Sequence, residues 1–278
     1  MLKAAVKPVY HFVHDLLFQT IDANPFFPKT YQGKAIEKGH ISLAHLADPA
    51  LDVELSNRLE AVGATVKPYH IDVAGYRQYI QETNYPASYY GGGQDPKQNF
   101  TEKTLEHYVS LDFMNLGPNS RFVDIAACTS PFFQIVQDRF GVREAYQQDL
   151  VYPKGLNDGK IGGYAHELPF EPNSVDAVTL HCSLEHFEGV SDTEFFRTMN
   201  RILKPGGRII VLPFYLAARY VIHVDPVFNA LRRHRPQLDE KAELRYCNWY
   251  QFFSRHYDPK ALQARVLTAM PDVDLTIY

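Results

Sequence analysis

Apolar positions recur along the chain at two spacings, and proline, glycine and capping residues mark where one spacing gives way to the next. In the first third, Leu51, Leu55, Leu59 and Val62 follow Asp48-Pro49 at helical intervals and stop at Gly63, which predicts a capped helix. Thr65 to Ile71 predicts a short strand, and Tyr76, Tyr79 and Ile80 a further short helix. The run Tyr89-Tyr90-Gly91-Gly92-Gly93-Gln94-Asp95-Pro96 suits neither a helix nor a strand and predicts a loop or hinge. It divides an N-terminal cap or substrate-shaping region, residues 1–94, from a core, residues 95–278.

After the glycines the pattern sharpens. Leu105, Tyr108, Val109 and Phe113 mark a helix closed by Gly117-Pro118, and Arg121 to Ala126 is a β-rich run. Ser130-Pro131 precedes the stripe Phe132, Phe133, Ile135, Val136 and Phe140, with Gly141 behind it, so this helix has both a start and a stop. Ala145 to Gln148, Val175 to His181 and Arg208 to Leu212 predict strands. Between the last two, Ser191-Asp192-Thr193-Glu194 is a capping box, Phe195, Met199, Ile202 and Leu203 form one apolar face, and Lys204-Pro205-Gly206-Gly207 closes the helix with a type II turn. Asp258-Pro259-Lys260 opens a helix through Met270, and Val273 to Tyr278 predicts a final strand. Strands alternating with helices at this spacing predict a doubly wound, mostly parallel α/β sheet.

Composition narrows the class. Lys plus Arg total 28 against 32 Asp plus Glu, a formal net charge of −4, which argues against a nucleic-acid partner. The nearest approach to a membrane-length apolar run, Ile209 to Val224, is broken by Pro213 and Arg219, so no membrane partner is expected. The N-terminus reaches Pro8, Tyr10 and His11 before any signal-peptide core forms. Three widely spaced cysteines, Cys128, Cys182 and Cys247, suit reduced thiols and a cytoplasmic location. Oligomeric state is left open.

Open parallel sheets bind ligands at the carboxyl ends of their strands, near the switch point of strand order. Asp124 lies late in the first core strand, followed by the small residues Ala126, Ala127, Cys128, Thr129 and Ser130. Small side chains let a ligand approach the backbone, and the helix beginning at Pro131 offers free N–H groups to a carboxylate. Asp149 ends the second strand, where an acid accepts hydrogen bonds from ribose hydroxyls. Glu167-Leu168-Pro169-Phe170 offers apolar groups to sandwich an adenine.

Four segments together resemble the class I S-adenosylmethionine-dependent methyltransferases of the type 11 branch. They are Phe122-Val123-Asp124-Ile125-Ala126-Ala127-Cys128, Leu168-Pro169-Phe170 ahead of Ser174-Val175-Asp176-Ala177-Val178, Leu184-Glu185-His186-Phe187, and Arg201-Ile202-Leu203-Lys204-Pro205-Gly206-Gly207. The resemblance spans residues 100 to 215. It implies S-adenosylmethionine as cofactor, held by Asp124, Ala126, Cys128, Ser130, Asp149, Tyr164 and Ala165, and methyl transfer to a small-molecule or saccharide-like acceptor. His181 and His186 are the candidate bases. The chain departs from the family in two places. Ala126, Cys128 and Ser130 stand where the family's loop has glycines, so any of them that needs positive φ is strained. The family's sheet also has one more, antiparallel strand, so either a truncated sheet or a replacement strand from the N-terminal region is expected. Lost glycines favour the alternative, a catalytically inactive binding or scaffolding module, whose cleft Cys128, Tyr164 or the cap would fill.

The bland readings are equally specific. Cys128 is a small buried filler, Phe132 and Phe133 are core, and Arg232, Arg233, His234 and Arg235 are a solvated helix end. Tyr89 and Tyr90 form either a lid or a linker anchor. Twelve histidines and three cysteines show no metal-ligand spacing, so no metal is expected.

Overall fold

The structure, a computed structural model, describes residues 2–41, 48–87, 89 and 96–278. The chain groups into two compact units, both discontinuous in sequence. The core unit comprises 67–184, 191–214 and 266–278, and the second unit 1–66, 185–190 and 215–265. These boundaries differ from a division at residue 94, and the triple glycine lies outside the described residues.

The core unit is built on five parallel strands, β1 (Arg121–Ile125), β2 (Glu144–Asn157), β3 (Lys160–Gly162), β4 (Val175–His181) and β5 (Leu203–Leu212). Their order is β3-β2-β1-β4-β5, the doubly wound arrangement whose direction of winding reverses between β1 and β4. Three helices pack on it. α1 (Pro96–Asp112) lies on β4 and β5, α2 (Phe132–Phe140) on β1 and β2, and α3 (Ser191–Ile202) on β5. β1 and β4 are apolar runs buried almost throughout, as strands covered on both faces must be. Phe122, Phe132, Val136, Ala177 and Ile210 form the centre of the core, with Phe133 partly buried against it. Gly141, in the left-handed conformation at φ 67°, closes α2 by donating to Gln137 O at 2.8 Å. On α3, Phe195, Phe196, Met199 and Ile202 are buried, as the apolar stripe predicts.

Three expectations are corrected. No helix separates β2 from β3: β2 runs past Asp149, and its end, Lys154–Asn157, pairs again with β3. The final strand shortens to Thr276–Ile277 and stays outside the five-stranded sheet, and no N-terminal strand joins that sheet among the described residues. The helix after Asp258 is α-helical only over Pro259–Leu262 and continues as a π-turn through Gln263–Leu267. Among the described residues, no helix is long and apolar enough to cross a membrane.

In the second unit, Val221–Val224, Glu243–Tyr246 and Glu37–Lys38 are mutually parallel neighbours, and Ser254–His256 pairs antiparallel with Val221–Val224. Ile21, Ile222, Val224, Leu244, Tyr246 and Phe253 form its core. Asp225, fully buried, takes hydrogen bonds from His14 Nε2 (2.8 Å) and from the Phe228, Trp249 and Tyr250 amides (2.9, 3.0 and 2.9 Å). Arg232 stacks over Tyr10 and Phe228, and His234 Nε2 meets Glu188 at 2.6 Å, so the basic helix end is partly engaged rather than wholly solvated.

At Gly162 in β3, a Cβ would collide with the Tyr152 and Pro153 carbonyls, whereas one at Gly117 meets nothing within 4 Å. Gly162→Ala is therefore expected to cost about 2 kcal/mol and Gly117→Ala less than about 0.5 kcal/mol. Urea unfolding of the two variants measures this contrast.

Candidate functional site

The switch point places the carboxyl ends of β1 and β4 side by side, through the pairs Asp124↔Thr179 and Ile125↔Leu180. Asp124 is buried, and its Oδ1 accepts from Thr179 Oγ1 at 2.8 Å. His181, at the end of β4, approaches the same oxygen with Nδ1 at 3.6 Å, and its Nε2 lies 2.8 Å from Ser110 Oγ on α1. Ser110 is fully buried, so it holds the imidazole rather than acting as a nucleophile. Asp124 Oδ2, His181 Nδ1, Glu106 Oε2 and Ser183 Oγ are all buried without a hydrogen-bond partner among the described residues. Buried polar atoms are normally satisfied, so this cluster is the part of the core unit that lacks its complement.

The loop after β1 keeps a glycine-like path without glycine. Ala126 and Cys128 have φ of +53° and +46°, the left-handed region that side chains disfavour. β2 holds them there. Ala126 N–H donates to Gln148 Oε1 (3.2 Å), Ala127 N–H to Gln148 O (3.0 Å) and Cys128 N–H to Asp149 Oδ2 (2.9 Å). Tyr152, whose phenol burial pushes up to about 12, donates to the Cys128 carbonyl. Asp149 Oδ1 accepts from Val151 N–H at 2.9 Å. Each Asp149 oxygen thus retains one lone pair for a ligand.

A polar stripe on α1 completes the surroundings. Lys103, Glu106, His107 and Ser110 recur at helical spacing and face the β4 end. Cys182, directly after His181 and at φ +44°, contacts Lys103 Nζ and lies 3.1 Å from Glu106 Oε1. Burial pushes both the Glu106 carboxyl and the Cys182 thiol up. Burial alone would lower the Lys103 ammonium, but Cys182 and Glu106 raise it overall. Glu102, Glu106 and Cys182 have the spacing of metal ligands, yet Lys103 already supplies the cation. His107 is buried between Tyr85 OH (2.9 Å, Nδ1) and Tyr89 OH (3.2 Å, Nε2), and burial holds its pKa well below the usual imidazole value. None of these α1 residues was singled out from the sequence. The available signal was a polar i, i+3, i+4, i+7 row on a helix that packs against a buried sheet.

The remaining candidates are dispersed. Ser130 Oγ accepts from Phe132 N–H (3.2 Å) and lies 3.4 Å from His107 Nε2, so it caps α2. Cys128 is exposed, not a buried filler, because its backbone turns the side chain away from the sheet. Tyr164, 53% exposed, stacks on His166 at 5.2 Å, and Ala165 is buried in the following turn. Neither Cys128 nor Tyr164 is packed into the core, so of the fillers that the inactive-module reading names only the cap remains, with Tyr85 and Tyr89 on His107. Leu168 and Phe170 are buried, with the Phe170 ring against Tyr146 at 5.2 Å, and Pro169 between them is exposed. Tyr89 is buried against Tyr85 and His107, an anchor rather than a lid, and Tyr90 lies outside the described residues. His186 belongs to the second unit, where Nδ1–H donates to Phe253 O at 2.6 Å and Nε2 lies 3.6 Å from Glu185.

Residues 143–211 match the family model described as Methyltransferase domain. The C-methyltransferase UbiE of ubiquinone and menaquinone biosynthesis from Teredinibacter turnerae is 31% identical over 120 residues, 38% of this chain and 47% of that protein. Its counterpart from Vibrio cholerae is 31% identical over 120 residues, 38% of this chain and 45% of that protein. The chain thus spans about half the length of the curated relatives it matches. Among solved structures, a geranyl diphosphate C-methyltransferase from Streptomyces coelicolor is 15% identical with a TM-score of 0.36, covering 64% of this chain and 63% of that one. The family match and the curated relatives bear out the resemblance to class I S-adenosylmethionine-dependent methyltransferases.

Two measurements follow from this geometry. Ala126→Gly relieves the left-handed backbone and is expected to raise unfolding free energy by about 1 kcal/mol, read by urea denaturation. His107 stays neutral in the fold while the unfolded imidazole protonates near pH 6.5. Its contribution to stability is therefore complete above that pH and is lost below it, by at most about 1.4 kcal/mol per pH unit. Wild-type stability should fall more steeply than that of His107→Gln between pH 6.5 and 4.5, and parallel slopes would contradict the assignment.

Proposed function

We propose that this chain, whose core is of the class I S-adenosylmethionine-dependent methyltransferase type, methylates a small-molecule or saccharide-like acceptor at the carboxyl ends of β1 and β4. The observation that carries this reading is the cluster of unpartnered buried polar atoms at the switch point, beside a loop that keeps the backbone path of a glycine turn. Asp149, with the lone pairs left by Cys128 and Val151 N–H, would hold the ribose hydroxyls. The backbone of Ala126 and Cys128 and the Ser130 hydroxyl at the start of α2 would hold the methionine portion, and Tyr164 and Ala165 the base. Asp124 Oδ2 supplies a further buried acceptor.

The bound cofactor supplies a methyl group already activated for transfer. What the protein adds is alignment, exclusion of water and a destination for the acceptor's proton. We assign that proton to His181. Its Nε2 shares a hydrogen bond with Ser110 Oγ at 2.8 Å, and its Nδ1 lies 3.6 Å from Asp124 Oδ1. His186, whose Nδ1–H donates to a backbone carbonyl and leaves the lone pair on Nε2, is the second candidate base. The net charge of −4 disfavours a polyanionic acceptor.

Calorimetry with S-adenosylhomocysteine tests the first step: 1:1 binding is expected, and no heat at millimolar ligand with folded protein leaves the inactive-module reading in its place. Asp149→Ala is expected to weaken binding by about tenfold to a hundredfold, the loss of hydrogen bonds to a charged group. His181→Gln is expected to leave that affinity unchanged and to lower turnover with any acceptor found.

A further inference from the structure

The second unit gathers nitrogen and sulfur ligands that the methyltransferase reading does not use. Its three mutually parallel strands each deliver one such residue to their carboxyl ends. Glu37–Lys38 leads to His40, Val221–Val224 carries His223 one residue before its end, and Glu243–Tyr246 is followed directly by Cys247. One ligand atom from each of His40, His223 and Cys247 lies within 4.8 Å of the other two. His223 and Cys247 are buried and His40 is exposed, so the group is walled on one side and open on the other. From this arrangement we propose a zinc-type divalent metal site with His40, His223 and Cys247 as ligands and a fourth position left for water or a ligand oxygen.

The local hydrogen bonding suits that role. Ile41 N–H donates to His223 Nε2 at 3.1 Å, so that nitrogen carries no proton and the ring proton sits on Nδ1, which is buried without a partner among the described residues. That tautomer ligates through Nε2, where a metal ion takes the place of the Ile41 N–H. His256, whose ring lies 4.6 Å from that of His223 and whose Nδ1 is also buried and unpartnered, is the next imidazole available to such an ion. Arg245, whose charge bears on His40 and Cys247, is paired with Glu37 and with Glu243 at 2.9 Å. Cys247 binds as thiolate and releases its proton to solvent, so two imidazoles and one thiolate leave a bound divalent ion with one net positive charge. Mixed nitrogen and sulfur donors select zinc over magnesium or calcium, and three protein ligands with an open position are the pattern of reactive rather than structural zinc.

The chain's single tryptophan, Trp249, has its ring 3.8 Å from that of His40 and 5.1 Å from that of His223, so it reports on the site. The experiment uses the full chain, stripped with a chelator and titrated with Co2+ and then Zn2+. One equivalent of Co2+ should give thiolate-to-cobalt charge-transfer absorption and tetrahedral visible bands, with Trp249 emission changing in step and Zn2+ abolishing the bands. Cys128→Ser/Cys182→Ser should retain every signal, and Cys247→Ser should lose the charge-transfer band. Because His40 is exposed, His40→Ala tests the site without threatening the fold, and it should weaken Zn2+ binding about tenfold or more. Absence of a charge-transfer band in the wild-type chain, its persistence in Cys247→Ser, or unchanged Zn2+ affinity in His40→Ala overturns the site. None of these outcomes depends on S-adenosylhomocysteine binding.

Discussion

The backbone of Ala126 and Cys128 is the constraint on which the core unit depends. Holding two residues with side chains in the left-handed region costs about 1 kcal/mol each, and within the loop only the Ser130 N–H bond to Ala127 O, at 2.7 Å, is available to offset it. Recovery comes from the neighbouring strand. Gln148 takes Ala126 and Ala127 N–H, Asp149 takes Cys128 N–H, and Tyr152 donates to the Cys128 carbonyl. At about 1 kcal/mol net for each hydrogen bond, this set outweighs the strain, so β2 dictates the loop's path and the loop's own composition does not. The unusual connection between β2 and β3 then has a reason. A crossover helix starting after Asp149 would carry Tyr152 away, whereas a continuing strand keeps Val151 and Tyr152 beside the loop and lets Lys154–Asn157 pair again with β3.

How much of this was legible follows from the range of each interaction. β4, α2 with its Gly141 stop and the buried stripe of α3 are written in residues a few positions apart, and those readings match the structure. So does the parallel sheet, because motifs in register fix the strand order. What the sequence conceals is long-range. Gln148 and Tyr152 look like ordinary strand residues until the loop they hold is placed against them, and the Cys128 side chain faces solvent because of its φ. The second unit draws on residues 1–66, 185–190 and 215–265, with strands of two to four residues, too short for alternation to rise above chance. Leu168-Pro169-Phe170 belongs to the family pattern, yet Leu168 and Phe170 are buried and only Pro169 is exposed.

Charge at the β4 end is arranged as two separate systems. Lys103, Glu106 and Cys182 neutralise one another, so a buried ammonium and a buried carboxyl persist at an end of the sheet where neither would survive alone. Asp124 and His181 are different, since Thr179 and Ser110 satisfy one atom of each and leave the others unpartnered. In a water-poor setting such unpaired atoms interact strongly with whatever reaches them. The same low polarity penalises them while nothing is bound, which makes the unpaired set a more discriminating marker of a ligand site than the paired one.

Both units use the same geometric device for different chemistry. Parallel strands end with their side chains and free backbone groups converging, so residues far apart in sequence become neighbours at the carboxyl edge. In the core unit that edge presents carboxylate oxygens, backbone amides and an imidazole held by Ser110. In the second unit it presents two imidazoles and a thiol, a softer set with few partners for an organic ligand and strong preference for a borderline metal ion. One fold principle thus specifies where ligands gather, and the hardness of the atoms placed there specifies which class of ligand is bound.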